Sequence, residues 1–313
     1  MTVQIGAGPA ADVALLDLLS ALKRADYRFV TPTPATHSLV RQRSSAGEDV
    51  LRDVFGWSRP FSLDQLPQPF ASLMEVAGIL ERAGDAWRST LRVSSVGETL
   101  YLHSAPSRDN DAVFLGPDSY RFARFLASTF RSGEPFRTAL DLGTGAGVGA
   151  LTLKAAVPEA DVTASDINPA ALRLARLNGT ASGHILHSQL ASGVPDEPPT
   201  FEVIVSNPPY IAGDVGKTYR DGGDEYGAAL ALSWVRASAG RLAPGGRFIL
   251  YTGAPVVAGR DVVLDALTQI AAEQGRSLQY EEIDPDVFGS TLRQNAYQSV
   301  ERIAAVGAIL TQP

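Results

Sequence analysis

Apolar residues recur at helical spacing over positions 9–25, where Val13, Leu15, Leu16, Leu18, Leu19 and Leu22 share a face between Pro9 and the pair Lys23-Arg24. Proline at the first turn and cations at the last suit a helix and its dipole. Thr31-Pro32-Thr33-Pro34 interrupts the pattern, and a second helix is predicted over about 48–55, with Gly56 and Pro60 discouraging its continuation. A short segment at 62–66 leads to a third helix predicted over 70–83, whose apolar face holds Leu73, Val76, Ile79 and Leu80. Apolar and polar positions then alternate through 90–94 and 99–103 about Val96-Gly97, the pattern of a hairpin. Helix, short helix, helix, hairpin is the order of a winged-helix module, assigned to residues 1–108.

Ser107-Arg108-Asp109-Asn110-Asp111 reads as a polar linker, after which Val113-Phe114-Leu115 and Gly116-Pro117-Asp118-Ser119 lead into a helix predicted to about 130. Carrying Arg121, Arg124 and Phe125, that helix is placed to be a lid over a ligand. From Arg137 the pattern alternates: strands are predicted at 138–142, 161–165, 185–187, 202–206, 248–251, 278–283 and 297–303. Between them run a helix over 148–156, one capped by Asn168 with Pro169 at its first position and Gly179 past its end, and one with Leu232, Val235, Ala239 and Leu242 on its face. Pro244-Gly245-Gly246 supplies a turn. The alternation predicts an α/β, doubly wound, mostly parallel sheet over residues 109–313.

A chain of 313 residues holds about two domains. Hydrophobic residues at 45% and charged ones at 19% are ordinary for a globular protein, and no apolar run reaches the length of a membrane span. The N-terminal stretch lacks the basic flank and apolar block of a secretory signal, so the expected location is cytoplasmic and no membrane partner is expected. With no cysteine, thiolate zinc sites and cysteine nucleophiles are excluded. His184 and His187 are three apart, which on a strand puts them on opposite faces, and no metal is expected. The net charge of −7 argues against a large nonspecific nucleic-acid surface, while leaving a local one open. Residues before Phe136 carry 14 basic and 15 acidic side chains and the rest 13 and 19, so the acidity belongs to the second half. For the front module, protein docking and packing stand beside nucleic-acid contact, with Arg88 and Arg92 near the expected wing.

The chemistry concentrates in two stretches. In Asp141-Leu142-Gly143-Thr144-Gly145-Ala146-Gly147-Val148-Gly149, the three alternating glycines let the backbone turn sharply and approach a ligand, and the following helix offers free N–H groups. Asp166, ending the next strand, is placed to accept ribose hydroxyls. Gly145-Ala146-Gly147-Val148-Gly149-Ala150 also fits the dinucleotide pattern G-x-G-x-x-A, so the glycines alone leave a nicotinamide cofactor open. Asn207-Pro208-Pro209-Tyr210, after the strand at 202–206, decides between them.

With Asp141 ahead of the glycines, the first stretch resembles motif I of class I S-adenosylmethionine-dependent methyltransferases. The second resembles motif IV of the amino-methyltransferases, which act on planar amide or exocyclic nitrogens. Over about 113–306, the chain is most similar to release-factor glutamine methyltransferases, through Asp141 to Gly147, Asp166-Ile167-Asn168-Pro169-Ala170-Ala171, Val205 to Ile211, and Asp221-Gly222-Gly223-Asp224. The resemblance implies a Rossmann-like, seven-stranded catalytic domain using S-adenosyl-L-methionine. Asp141, Gly143, Thr144, Gly145 and Gly147 would cradle it, Asp141 at its amino-acid end and Asn207 also touching it, while Ile167 packs on adenine. These enzymes commonly carry Gly-Asp-Leu where this chain has Ser188-Gln189-Leu190, which passes the adenine-amine contact to Gln189 or to backbone. The Asn207 side chain and the Pro208 carbonyl would accept the target nitrogen's hydrogens, Pro209 would help fix the turn, and Tyr210 would stack on the planar group. The expected partner is a macromolecular substrate: a protein glutamine, as in a release factor, or a base in RNA or DNA.

Overall fold

The computed structural model of the protein describes residues 6, 8–43, 49–106, 109, 111–131, 133–211, 223 and 225–313. Glu48, linker residues 107, 108 and 110, and Asp221, Gly222 and Asp224 lie outside them. In chain order, the front comprises α1 (Pro9–Arg24), α2 (Pro34–Arg41), α3 (Phe70–Ala77), β1 (Leu80–Ala83), β2 (Ala86–Ser89), β3 (Leu91–Val96) and β4 (Thr99–Ser104). The remainder is α4 (Pro117–Thr129), β5 (Thr138–Leu142), α5 (Val148–Ala156), β6 (Asp161–Asp166), α6 (Pro169–Ala181), β7 (His187–Leu190), β8 (Phe201–Ser206), α7 (Ala229–Ala237), β9 (Leu242–Val257), β10 (Arg260–Asp261), α8 (Val262–Gln274), β11 (Ser277–Asp284) and β12 (Arg302–Thr311).

Seven strands form one sheet in the order β11-β12-β9-β8-β5-β6-β7, with short β10 hairpinned onto β9. The pairs β5–β6, β6–β7, β5–β8 and β8–β9 are parallel, and β12 runs antiparallel to both neighbours. From β5 the chain moves outward through β6 to β7 and then returns to β8, so the order reverses between β5 and β8. That is where an open α/β sheet leaves a crevice at its carboxyl edge. Side-chain alternation gives each strand two apolar faces: Leu140, Leu142, Ile204 and Phe248 pack toward α7 and α8, while Ala139, Val203, Val205 and Ile249 face the core that includes α4, α5 and α6.

The second core does not stop at the front module. Leu15, Leu18, Leu22, Phe55, Phe70 and Met74 belong to the same buried cluster as Leu151, Leu174 and Tyr251. Asp12 on α1 pairs with Arg173 and Arg176 on α6, at 2.8 and 2.5 Å. Fully buried Asn178 on α6 makes the tightest seam. Its Oδ1 accepts the Leu102 N–H of β4 at 2.8 Å, and its Nδ2 donates to the carbonyls of Leu102 and Ala146 at 3.1 and 2.9 Å.

Several elements depart from the sequence expectation. The proline-threonine stretch starts α2 instead of only breaking the chain, because Pro34 occupies the first helical position, where its missing N–H costs nothing, and Thr33 caps Thr36 N–H. The helix expected over 48–55 loosens into a single wide turn at Arg52–Gly56. The helix expected to Ala83 stops at Ala77, because Gly78 takes φ 63° and caps it. Residues Leu80–Ala83 instead pair with Ala86–Ser89, giving the front a second hairpin beyond the winged-helix order. α6 runs through Gly179 to Ala181, since a side chain at Gly179 would press on the His184 carbonyl and Leu186 while Gly183, at φ 81°, makes the stop.

Further differences lie in the second half. β7 is displaced to His187–Leu190, and Pro244-Gly245-Gly246 forms a bulge within β9, where Phe201 pairs Leu242 but Val203 pairs Arg247. α8, capped by Asp261 through Val263 and Leu264 N–H, stands where no helix is predicted. The last strand is Arg302–Thr311 instead of 297–303, because Asn295–Tyr297 is a helical turn. In α4, Phe122, Ala123, Phe125 and Leu126 are buried, and Phe125 fills the space beside Gly307.

Candidate active site

β5 and β8 lie side by side with Leu142 opposite Ser206, whose hydroxyl donates to the Leu142 carbonyl at 2.8 Å. The next residue of each strand is therefore Gly143 on one side and Asn207 on the other. The two sequence motifs leave the sheet as neighbours at the reversal point.

The glycine loop is wound tightly. Gly143, Gly145 and Gly147 have φ of 72, 53 and 88°, backbone that favours glycine, and the N–H groups of Gly143 and Thr144 both donate to the Ser165 carbonyl of β6. Asp141 lies beneath the loop at 1% exposure. Its Oδ2 accepts the Thr144 hydroxyl at 2.6 Å and the Ala150 N–H at 2.8 Å. A Cβ on Gly149 would come within 2.4 Å of Asp141 Oδ1. Asp141 thus shapes the loop and the start of α5. Burial pushes its carboxyl up to about 6, with the charge of Asp166 adding to the effect and the bonds from Thr144 and Ala150 opposing it.

Asp166 is half-buried and holds the loop from the other side, accepting Gly145 N–H on Oδ2 and Asn168 N–H on Oδ1, each at 2.9 Å. Burial raises its carboxyl, while backbone N–H groups from Asn168, Gly145 and Ile167 oppose that. Both oxygens retain lone pairs for a diol. Ile167 stands 56% exposed beside it, an apolar surface with nothing over it among the described residues. On β7, Gln189 pairs in register with Ser165, and the hollow beyond it is lined by residues 189–197.

Two buried acceptors at this edge have no partner among the described residues: Gln189 Oε1 and Asn207 Oδ1. Such groups are expensive to leave unpaired, so their presence marks where a ligand's donors belong. An exocyclic amine at Gln189 and an N–H at Asn207 fit them. Pro208 is buried and Pro209 half-buried, so the turn that carries Asn207 is fixed from both sides.

Tyr210 is half-buried, its ring edge-on to Phe288 at 5.5 Å and seated against Gly253, where a Cβ would come within 2.7 Å. Its hydroxyl is hydrogen-bonded to Asp118 on α4, a residue the sequence reading treats only as part of a turn. Asp118 is 3% exposed, accepts the Tyr251 hydroxyl at 2.9 Å, and lies 3.5 Å from Arg121, which bridges on to Asp284 at 2.8 Å. Burial raises the Asp118 carboxyl against the bonds from Tyr251 and Tyr210. Burial and then the Asp118 charge hold Tyr210 well above the usual phenol range, so it remains a neutral donor. Phe288 has φ 60°, a strained setting for a bulky residue at the rim of a site. Tyr251 is core, and Tyr226 packs against Tyr297. Trp234 lies 3.0 Å from where a Cβ on Gly143 would stand.

Residues 111–254 match the family model described as Methyltransferase small domain. Among curated proteins, the chain is 39% identical over 136 residues to the release factor glutamine methyltransferase of Cereibacter sphaeroides, covering 39% of this chain and 48% of that one. It is 40% identical over 124 residues to that of Deinococcus radiodurans, covering 36% and 44%. It is 38% identical over 77 residues to ribosomal RNA small subunit methyltransferase C of Hahella chejuensis, covering 25% and 22%. The alignments span about half the length of the first two relatives. Among solved structures, Trm5b from Pyrococcus abyssi superposes with a TM-score of 0.50 at 14% identity, covering 75% of this chain and 62% of that one, a likeness of fold.

Proposed function

We propose that this chain is an S-adenosylmethionine-dependent N-methyltransferase acting on a planar amide nitrogen, that of a glutamine in a protein substrate. The observation that carries the reading is Asn207 Oδ1, a buried acceptor without a partner, one residue beyond β8 and beside the glycine loop of β5.

Gly143, Gly145 and Gly147 give the methyl donor its cradle, Asp166 meets its ribose, and Ile167 and Gln189 meet its adenine. Bound there, the donor supplies an electrophilic methyl carbon on a sulfonium. An amide nitrogen is a poor nucleophile, because its lone pair is delocalised into the carbonyl. Asn207 Oδ1 and the Pro208 carbonyl accept its two hydrogens, which favours a more tetrahedral nitrogen and turns its lone pair toward the methyl carbon. As the N–C bond formed, the donor's S–CH3 bond would break and leave a neutral thioether, S-adenosylhomocysteine, and the nitrogen would lose one of the hydrogens held at these acceptors to solvent. Tyr210 packs on the flat face of the amide, its own hydroxyl fixed by Asp118. The glutamine reading draws on the two release-factor relatives and on the acidity of the second half; the match to a ribosomal RNA enzyme keeps a nucleic-acid base as the second reading.

Calorimetry with S-adenosylmethionine tests the cofactor. Absence of affinity, or affinity for a nicotinamide dinucleotide instead, refutes the reading. Transfer of labelled methyl groups into lysate from cells lacking the protein tests the substrate: label released by protease supports glutamine, whereas label released by ribonuclease or deoxyribonuclease transfers the reading to a base. Asn207→Ala should lose about a hundredfold in transfer. Transfer at the parental rate would place the nitrogen site elsewhere.

A further inference from the structure

A second concentration of unpartnered polar atoms lies in the front module, around residues 56–59. Arg92 on β3 is 5% exposed, with Nε donating to the Gly56 carbonyl at 2.8 Å and Nη2 buried without a partner. Two residues beyond Gly56, Ser58 is 1% exposed, its hydroxyl also unpartnered, and its backbone has φ 53°, strained for serine. His37 on α2 stacks on Trp57 at 5.7 Å and leaves Nε2 buried and unpartnered. Arg59 donates to the Val40 and Arg43 carbonyls at the end of α2, and half-buried Arg41 stands next to them.

The charges do not balance. Arg59 meets Asp53 at 3.2 Å and, at the edge, Arg88 meets Glu81 at 3.6 Å, but Arg92 and Arg41 pair with no carboxylate among the described residues. The cations press on one another and on His37. Burial first, then Arg92, Arg41 and Arg59, hold His37 down at about 4. Burial, with Arg41, lowers Arg92 to about 10. A buried guanidinium without a counter-charge is costly, and a fold keeps one where something else supplies the charge.

We propose that this cluster binds a single phosphate group, held by the guanidinium groups of Arg92, Arg41 and Arg59, the Ser58 hydroxyl and the free edge of His37. Guanidinium forks match the oxygens of a phosphate, and a dianion suits unpaired cations together with an imidazole able to take up a proton. Arg92, Ser58 and His37 are each more than nine-tenths buried, which fits a terminal phosphate monoester better than a phosphodiester running along a groove. The inference goes beyond the proposed methyl transfer and does not rest on it.

The full-length chain should bind inorganic phosphate saturably in calorimetry against a chloride reference of equal ionic strength. Phosphate should also move the His37 imidazole titration, followed by NMR, upward from about 4 toward its ordinary range. Arg92→Gln should weaken phosphate binding about tenfold or more. Arg41→Gln, at the half-buried last residue of α2, should weaken it severalfold while S-adenosylmethionine affinity stays unchanged. Two further probes separate sources of the same chemistry. A 5′-phosphorylated oligoribonucleotide binding more tightly than phosphate points to a nucleic-acid end, and phosphate binding as tightly points to a small molecule. No phosphate affinity above chloride, an unmoved His37, undiminished binding in Arg41→Gln, or equal binding of the unphosphorylated oligonucleotide overturns the proposal.

Discussion

Asp141 gives the sharpest test of how the glycine loop is held. Its carboxyl moves from 3.8 in the unfolded chain to about 6 in the folded one, chiefly because it is buried. A raised folded value means that the native state holds its proton longer. The associated stability is therefore fully present below pH 3.8 and is lost as pH rises through 6. The shift of about two units corresponds to about 3 kcal/mol in all, of which about 2 kcal/mol falls between about pH 4.5 and 7.5. Asp141→Asn removes the titration while keeping the shape. Its Oδ1 still accepts the Ala150 N–H, and the Thr144 hydroxyl can rotate. Urea unfolding of both proteins across that range, with the two profiles subtracted, cancels every other group. The parent should lose about 2 kcal/mol relative to the variant as pH rises. Parallel profiles would mean that the carboxylate is solvated in the folded protein and that the loop is not built over a buried charge.

Three further outcomes follow from particular contacts. Asp118→Asn should leave S-adenosylmethionine affinity within about twofold and reduce methyl transfer about tenfold, since Tyr210 and Tyr251 exchange a charged acceptor for a neutral one; unchanged transfer would mean that Tyr210 is positioned by packing alone. Asn178→Leu strands the Leu102 N–H and the carbonyls of Leu102 and Ala146, and should cost about 3 kcal/mol or more in urea unfolding, with a loss below about 1 kcal/mol refuting the seam. Gly149→Ala drives a methyl to 2.4 Å from Oδ1 of Asp141, a carboxyl whose other oxygen Thr144 and Ala150 hold in place, and should destabilise by about 2 kcal/mol or more and abolish cofactor binding in calorimetry, whereas a variant as stable as the parent would show that Asp141 can retreat.

The parts of the site visible in the sequence are those whose chemistry is local. Gly143, Gly145 and Gly147 announce a turn because positive φ is a property of single residues, and Asn207-Pro208-Pro209-Tyr210 announces itself because its rigidity and its acceptors are consecutive. Asp118 escaped because its meaning lies in Tyr210 and Tyr251, the latter 133 positions away, and nothing near it in the chain records that pairing. The bulge at Pro244-Gly245-Gly246 reads as a turn because only its neighbour β8 shows that the strand resumes beyond it. Pro34 shows how one residue signals opposite things: a break when it falls inside a helix, a start when it stands at the first position after Thr33.

Asn178 also bears on how the protein can be taken apart. Its amide is divided between β4 of the front and Ala146 of the glycine loop, within a core that runs unbroken from Leu15 to Tyr251. Cleaving the chain at the linker and discarding residues 1–108 would strip α1 from α6 and leave the Asn178 Oδ1 facing water under the loop it steadies. The excised half would not report on the intact chain. A protease cut in that linker should release no separate fragment until the whole molecule unfolds, and the work of the front has to be learned from single side chains in the complete chain.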